Sequence, residues 1–130
     1  MPNGAYTHLN LTDVHDAAPE LGLAEAQEYR PATSALGAER TGVAHQFYKP
    51  RTRQSFAHRH RSAEEIFVVL SGSGRVKLDN DILELRPLDT VRVAPHVMRC
   101  WEGGPDGLEV LAFGNHEYQD WEIEQHWWTD

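Results

Sequence analysis

The chain of 130 residues is long enough for one domain with a single hydrophobic core, and 40% of its residues are hydrophobic. A formal net charge of −8 argues against a nucleic-acid-binding protein, which needs a concentrated basic surface. No apolar run approaches the roughly 18 residues of a membrane span, and the first residues lack the pattern of a secretion signal. The single cysteine, Cys100, cannot form an intrachain disulfide, so we expect a cytoplasmic protein.

The first 40 residues carry the weakest pattern. Residues 19–30 favour a helix and an edge strand about equally, and residues 34–37 resemble one helical turn closed by a glycine. We expect residues 1–40 to add an N-terminal edge strand and a short helical turn to the main body of the protein.

Short strands separated by turn residues follow from residue 41 onward, as in a sandwich or barrel. The predicted strands are 42–48, 56–60, 65–71, 75–79, 82–85, 90–94, 98–102 and 108–113. Segments rich in Gly, Pro, Asp and Asn separate them. We therefore assign residues 41–114 to one all-β barrel.

Residues 115–130 form a tail that is rich in tryptophan, with Trp121, Trp127 and Trp128. Paired tryptophans bury a large apolar area when they dock. We expect this tail to dock on the barrel or on a partner subunit.

The sequence His58-Arg59-His60 lies on a predicted strand, and Glu65 begins the next one. Residues two apart on a strand point to the same face, so both imidazoles can aim at one point. Two histidines and one carboxylate have the composition of the facial-triad metal site. Glu64 turns to the opposite face of its strand and is the weaker ligand candidate.

Two blocks of the sequence resemble the two motifs of the cupin superfamily. Residues 58–72 match the first motif, in which His-x-His is followed by Glu and, six residues later, by Gly. Residues 88–99 match the second motif only in part, because Arg99 stands at the position of its histidine. The chain is also similar to small single-domain cupins that carry Gly-Pro-Asp-Gly-Leu-Glu before their last core strand.

The resemblance implies a jelly-roll barrel of two antiparallel sheets and a homodimer. It also implies that His58, His60 and Glu65 hold one divalent transition metal, such as Fe, Zn, Mn or Ni. The fourth ligand of the family is missing, because the guanidinium of Arg99 stays protonated and cannot donate a lone pair to a metal.

Two interpretations of Arg99 remain open. In one, three protein ligands hold the metal while Arg99 pairs with an anionic group of a small-molecule substrate. In the other, Arg99 pairs with Glu65 and replaces the metal. Charges of +1 and +2 at about 5 Å repel by roughly 6–7 kcal/mol at an effective dielectric near 20, a real penalty that Glu65 or a bound anion can offset.

The first interpretation predicts an oxygenase, or an isomerase or lyase, that acts on an anionic metabolite. Glu64 or His45 is then the nearest general base, and His45 and Phe67 line the pocket. The second predicts a metal-free binding module for a sugar or another small molecule. His96 occupies a predicted turn, where solvent exposure is the default. Cys100 is interpreted as a packed thiol that points away from the cavity.

Overall fold

The computed structural model describes residues 4–117 and 120–130. In this part of the chain, no helix is long and apolar enough to cross a membrane. A 3₁₀ turn and two helices precede or interrupt the first strands: Leu11–Asp13, α1 (Ala18–Leu21) and α2 (Thr33–Leu36). The described strands are β1 (Gln27–Pro31), β2 (Thr41–Tyr48), β3 (Phe56–His60), β4 (Glu65–Leu78), β5 (Asp81–Leu85), β6 (Thr90–Val93), β7 (Arg99–Asn115) and β8 (Trp121–Gln125).

The N-terminal region contains both of the elements between which its sequence did not decide. Helix α1 stops at Gly22, which adopts the left-handed conformation with φ of 74°. Strand β1 follows and pairs antiparallel with β2. Helix α2 ends in the same way at Gly37, with φ of 68°. A short helix and an edge strand therefore share the segment, because the left-handed glycine breaks its helical pattern.

The predicted boundaries inside the two longest strands are wrong. Segments 65–71 and 75–79 form the single strand β4, and segments 98–102 and 108–113 form the single strand β7. The intervening glycines suggest loops, but β4 and β7 pair with each other along most of their length. Their register shifts between Val69 and Ser71 and again between Gly72 and Gly74. Such irregularities let a strand bend without ending.

Gly72 is required where these two strands cross. Its φ is +80°, and a Cβ atom there would lie 2.0 Å from the carbonyl oxygen of Gly107. Gly107 has a φ of +82° itself. Only glycine fits a positive φ at such close backbone approach. The glycine that closes the first sequence motif is thus explained by the bend of the sheet.

The bends divide the sheet into two halves that enclose the core. The first half of β4 lies between β6 and the second half of β7, whereas its second half lies between β5 and the first half of β7. Side chains from both halves form one buried cluster: Tyr48, Phe67, Val69, Val76, Leu85, Val93, Trp101, Leu108, Val110 and Ala112. The predicted all-β barrel of jelly-roll type is confirmed.

A second, smaller cluster lies behind β3 and β7. Ala57, Met98 and Cys100 pack there against Trp128, which is only 5% exposed. The guanidinium of Arg53 lies 4.0 Å from the centroid of the Trp128 ring. Burial raises the pKa of the Cys100 thiol to about 11, so this thiol stays protonated and unreactive at neutral pH. Strand β8 pairs with β3 and extends the sheet beyond the strand that carries the two histidines.

Candidate metal centre

Three side chains with lone pairs converge on one point at the end of the barrel. His58 and His60 project from β3, and Glu65 projects from the first position of β4. The Oε1 atom of Glu65 lies 3.7 Å from Nε2 of His58 and 3.0 Å from Nε2 of His60. One nitrogen or oxygen atom from each residue lies within 4.8 Å of the other two. The sequence alternation predicts this meeting of side chains.

Arg99 belongs to the same cluster, but its side chain is bound entirely to the protein. Its Nη1 atom donates to Oε1 of Glu65 at 2.7 Å. Its Nε and Nη2 atoms donate to backbone carbonyls of Ala94, Pro95 and Val97, in the turn between β6 and β7. The residue is 0% exposed. Because these bonds occupy its donors and bury it, Arg99 is not placed to pair with a substrate, and that expectation is corrected.

Asp120 completes the cluster and was not found by sequence reasoning. Its Oδ1 atom lies 2.8 Å from Nδ1 of His60, on the far side of the ring from Glu65. Its Oδ2 atom accepts hydrogen bonds from the backbone N–H groups of Ser62 at 3.1 Å and Ala63 at 2.8 Å. No motif marks Asp120, which lies 60 residues from His60 in the sequence.

The surroundings change the proton affinity of the two histidines in opposite directions. Burial lowers the pKa of His58, and its contact with Glu65 does not compensate. Burial also acts to lower the pKa of His60, but hydrogen bonds with Glu65 and Asp120 outweigh it and raise the pKa. For Glu65, burial acts to raise the pKa, whereas the contacts with both imidazoles lower it far below the ordinary value.

In the metal-free protein, we expect the two imidazoles to titrate on opposite sides of pH 6.5, the ordinary pKa of histidine. His58 should lose its proton below this pH and His60 above it. A pH titration followed by NMR of the imidazole resonances, assigned with His58→Gln and His60→Gln, measures both midpoints. Midpoints that coincide would contradict the different environments of the two rings.

Glu64 does not belong to the centre. Its carboxylate is 53% exposed and pairs with Nη1 of Arg92 at 3.2 Å, on the outer face of the sheet. Alternation along β4 turns it away from Glu65, as the sequence indicates. The role of general base for Glu64 is therefore corrected, because its carboxylate lies on the opposite face from the cluster.

His45 also faces outward, contrary to the pocket-lining prediction. Tyr48 on the same strand is buried in the core. Successive residues of a strand alternate between its two faces, so His45, three residues away, lies on the outer face. There, Nε2 of His45 lies 2.7 Å from Oε2 of Glu109. The interpretation of His45 as a general base or a pocket residue is corrected for the same reason.

Phe67 and His96 occupy different environments. Phe67 shares the inward face with Glu65 and is 1% exposed, with its ring 4.7 Å from that of Trp101. It therefore forms the packed floor beneath the cluster. His96 is exposed in the turn after β6, as its position predicts, and it is not among the converging side chains of the described residues.

Comparison with known proteins identifies the fold. No family model matches the chain. An uncharacterized protein of Methanocaldococcus jannaschii is 30% identical over 77 residues, a match that spans 57% of this chain and 62% of that relative. The polyketide cyclase RemF from Streptomyces resistomycificus superposes with a TM-score of 0.75 at 19% identity, over 95% of this chain and 87% of the other. A cupin protein from Bacteroides fragilis superposes with a TM-score of 0.69 at 19% identity, over 89% and 87%.

The chain has the cupin fold. This agrees with the resemblance of its two motifs, and the three converging side chains are the ones that the first motif implies as metal ligands. The sequence departs from the second motif at Arg99, which pairs with His58 in the register between β3 and β7. A cation therefore stands beside the histidine pair, at the position where the family places a further ligand.

Proposed function

We propose that this cupin is an enzyme that holds one divalent transition metal through His58, His60 and Glu65 and acts on a small anionic metabolite. The observation that carries the proposal is the convergence of Nε2 of His58, Nε2 of His60 and Oε1 of Glu65. It fits a metal site of two imidazoles and one carboxylate that leaves further positions open.

The spacing of these atoms fits a shared ion. Ligand atoms that each lie about 2.1 Å from one metal are roughly 3.0–3.5 Å apart. The two histidine nitrogens lie 3.7 and 3.0 Å from Oε1 of Glu65. Small rotations of the side chains suffice to bring all three atoms to bonding distance.

The charges of the cluster support an anionic ligand. Glu65 and Asp120 contribute −2 and Arg99 contributes +1, so the set with neutral histidines carries −1. A divalent ion changes this to +1. One monoanion, either a hydroxide or an anionic group of the substrate, then restores neutrality in this poorly solvated site. The support for an anionic substrate thus comes from the charge count rather than from a contact with Arg99.

The residues of the cluster and those beneath it have different roles in this proposal. A bound metal would supply Lewis acidity, or oxygen chemistry if it is iron. His58 and His60 hold it as neutral donors. Arg99 holds Glu65 and the turn before β7 in place, and its positive charge weakens metal binding. Phe67 and Trp101 close the barrel beneath the site and exclude water from that side.

A metal-free binding module is the second candidate, and the ion pair between Arg99 and Glu65 at 2.7 Å favours it. In that case Arg99 has replaced the metal, and His60 as an imidazolium contributes the second positive charge. The cluster is then electrically neutral, with Glu65 and Asp120 balanced by Arg99 and His60. A neutral small molecule such as a sugar would be its ligand.

Elemental analysis separates the two functions. We expect the protein purified without chelator, or reloaded with Fe²⁺, Zn²⁺, Mn²⁺ or Ni²⁺, to hold about one metal ion per chain. His58→Ala and Glu65→Ala should reduce the content to background. Glu64→Gln is the matched control, because it changes the neighbouring carboxylate on the opposite face. A wild-type protein that holds none of the four metals would refute the proposal and support the metal-free module.

The proposal includes a homodimer in the cytoplasm. Trp121 and Ile123 on β8 are 49% and 52% exposed, which leaves apolar surface for a second copy. Light scattering of the purified protein measures the mass in solution, and a monomer at micromolar concentration would refute this part.

A further inference from the structure

Asp120 is a buried carboxylate that forms hydrogen bonds through both of its oxygen atoms. It is 7% exposed. Oδ2 accepts from the N–H groups of Ser62 and Ala63 and from the hydroxyl of Ser62 at 3.4 Å, while Oδ1 faces Nδ1 of His60. Its own carbonyl accepts from the N–H of Arg61 at 2.8 Å. Asp120 thereby forms hydrogen bonds with each residue of the segment 60–63, which includes His60.

These contacts favour one position for the proton of His60. An ionised carboxylate can only accept hydrogen bonds, so Oδ1 of Asp120 and Oε1 of Glu65 compete for the single ring proton of a neutral imidazole. Oδ1 lies nearer, at 2.8 Å against 3.0 Å, and accepts from no other group of the described residues, whereas Oε1 already accepts from Nη1 of Arg99 at 2.7 Å, so Nδ1 is the donor toward Oδ1. In a neutral imidazole, the other nitrogen then bears the lone pair. That nitrogen is Nε2, and it points at Oε1 of Glu65 from 3.0 Å. Two acceptors face each other across this gap, and a cation between them removes their repulsion.

We propose that Asp120 is a positioning residue of the metal centre, which fixes the proton of His60 on Nδ1 and aims the lone pair of Nε2 at the metal. The inference rests on the proposed metal site. The partner nitrogen of a ligating histidine is commonly held by a carboxylate, and loss of that partner typically costs 10–100-fold in metal affinity. His58 lacks this support, because its Nδ1 atom is buried without a hydrogen-bond partner among the described residues.

The substitution Asp120→Asn reverses the tautomer without changing the shape of the side chain. The two backbone donors of Ser62 and Ala63 require an acceptor, so the amide oxygen of asparagine takes the place of Oδ2. The amide NH₂ group then faces Nδ1 of His60 and donates to it. The proton of His60 is driven onto Nε2, where it blocks the lone pair that would bind the metal.

The test combines a spectroscopic measurement with a binding measurement. The ¹⁵N chemical shifts of the metal-free protein, recorded at a pH where His60 is neutral, should show the Nδ1–H form in the wild type and the Nε2–H form in Asp120→Asn. Titration with Zn²⁺ alone should show 10–100-fold weaker binding for the variant. Glu122→Gln is the control, since it makes the same chemical change on an exposed residue that pairs with Arg59 and Arg61.

Each outcome decides for or against the inference. An Nε2–H form of His60 in the wild type overturns it, and this measurement needs no variant to fold. Equal tautomers and equal Zn²⁺ affinities in Asp120→Asn and Glu122→Gln overturn it as well. If the wild type binds no Zn²⁺, the proposed function fails, whereas the wild-type tautomer still shows whether Asp120 sets the proton on His60.

Discussion

Glu65→Gln is expected to lower the free energy of unfolding of the metal-free protein by about 3 kcal/mol. Removal of one partner from a buried ion pair typically costs 3–5 kcal/mol, because the other charge stays buried without compensation. Here the stranded charge is that of Arg99, which is 0% exposed. The lower end of the range applies because glutamine keeps one acceptor oxygen. Chemical denaturation in the presence of chelator measures the difference.

The pH dependence of this effect distinguishes it from a general loss of packing. The pKa of Glu65 is lower in the folded state than its ordinary value of 4.5. Its contribution is therefore fully present above pH 4.5 and is lost as the pH falls toward the folded-state pKa. Wild type and Glu65→Gln should converge in acid. Glu64→Gln, which breaks an exposed pair worth at most about 1 kcal/mol, is the control, and an equal loss in both variants would contradict the prediction.

Arg99→His is expected to raise metal affinity by at least about 100-fold. The substitution supplies the donor that the second cupin motif places at this position, and it removes a positive charge from the site. At about 5 Å and an effective dielectric near 20, the repulsion removed is roughly 6–7 kcal/mol. Even half of that exceeds the 2.8 kcal/mol that corresponds to a factor of 100. Competition with a chelator of known affinity measures the change.

Arg99→His also removes hydrogen bonds that stabilise the metal-free protein. Histidine is too short to reach the carbonyls of Ala94, Pro95 and Val97 that Arg99 binds, so the metal-free variant should be less stable than the wild type. Circular dichroism establishes that it is folded before metal is added. Arg99→Met removes the charge without adding a nitrogen, and it separates the two contributions. If Arg99→His binds metal no more tightly than the wild type, Arg99 does not oppose the metal.

The convergence of the two histidines and the glutamate was predictable because it depends on local alternation. His58 and His60 are two residues apart on one short strand, and Glu65 opens the next strand. A period of two residues fixes their common face whatever the rest of the fold does. The cupin motif added the expectation of a barrel around them, and the confirmed fold has the buried side chains of both sheet halves between its layers.

The contacts of Asp120 and the backbone partners of Arg99 could not be predicted. Asp120 reaches His60 only because β8 pairs with β3, and nothing in the tail predicts that pairing. The carbonyl partners of Arg99 depend on the conformation of a turn.

Similarly, alternation along β2 defines two faces but does not say which one is buried. The inner face contains the amide of Gln46 beside Tyr48, whereas the outer face contains the apolar residues Val43 and Phe47. Hydrophobicity therefore predicts that the face of Val43, His45 and Phe47 is buried, but the structure places it on the outside.

The neighbours Arg99 and Cys100 constrain how this protein can evolve. They sit side by side on β7 and serve opposite faces, with Arg99 at the histidine cluster and Cys100 under Trp128. An inserted or deleted residue just before them would exchange the two environments at once, burying a thiol at the cluster and a guanidinium beneath the tryptophan. Length variation among descendants of this protein should therefore be confined to turns that do not contact this stretch, and substitutions alone should alter the residues around Arg99.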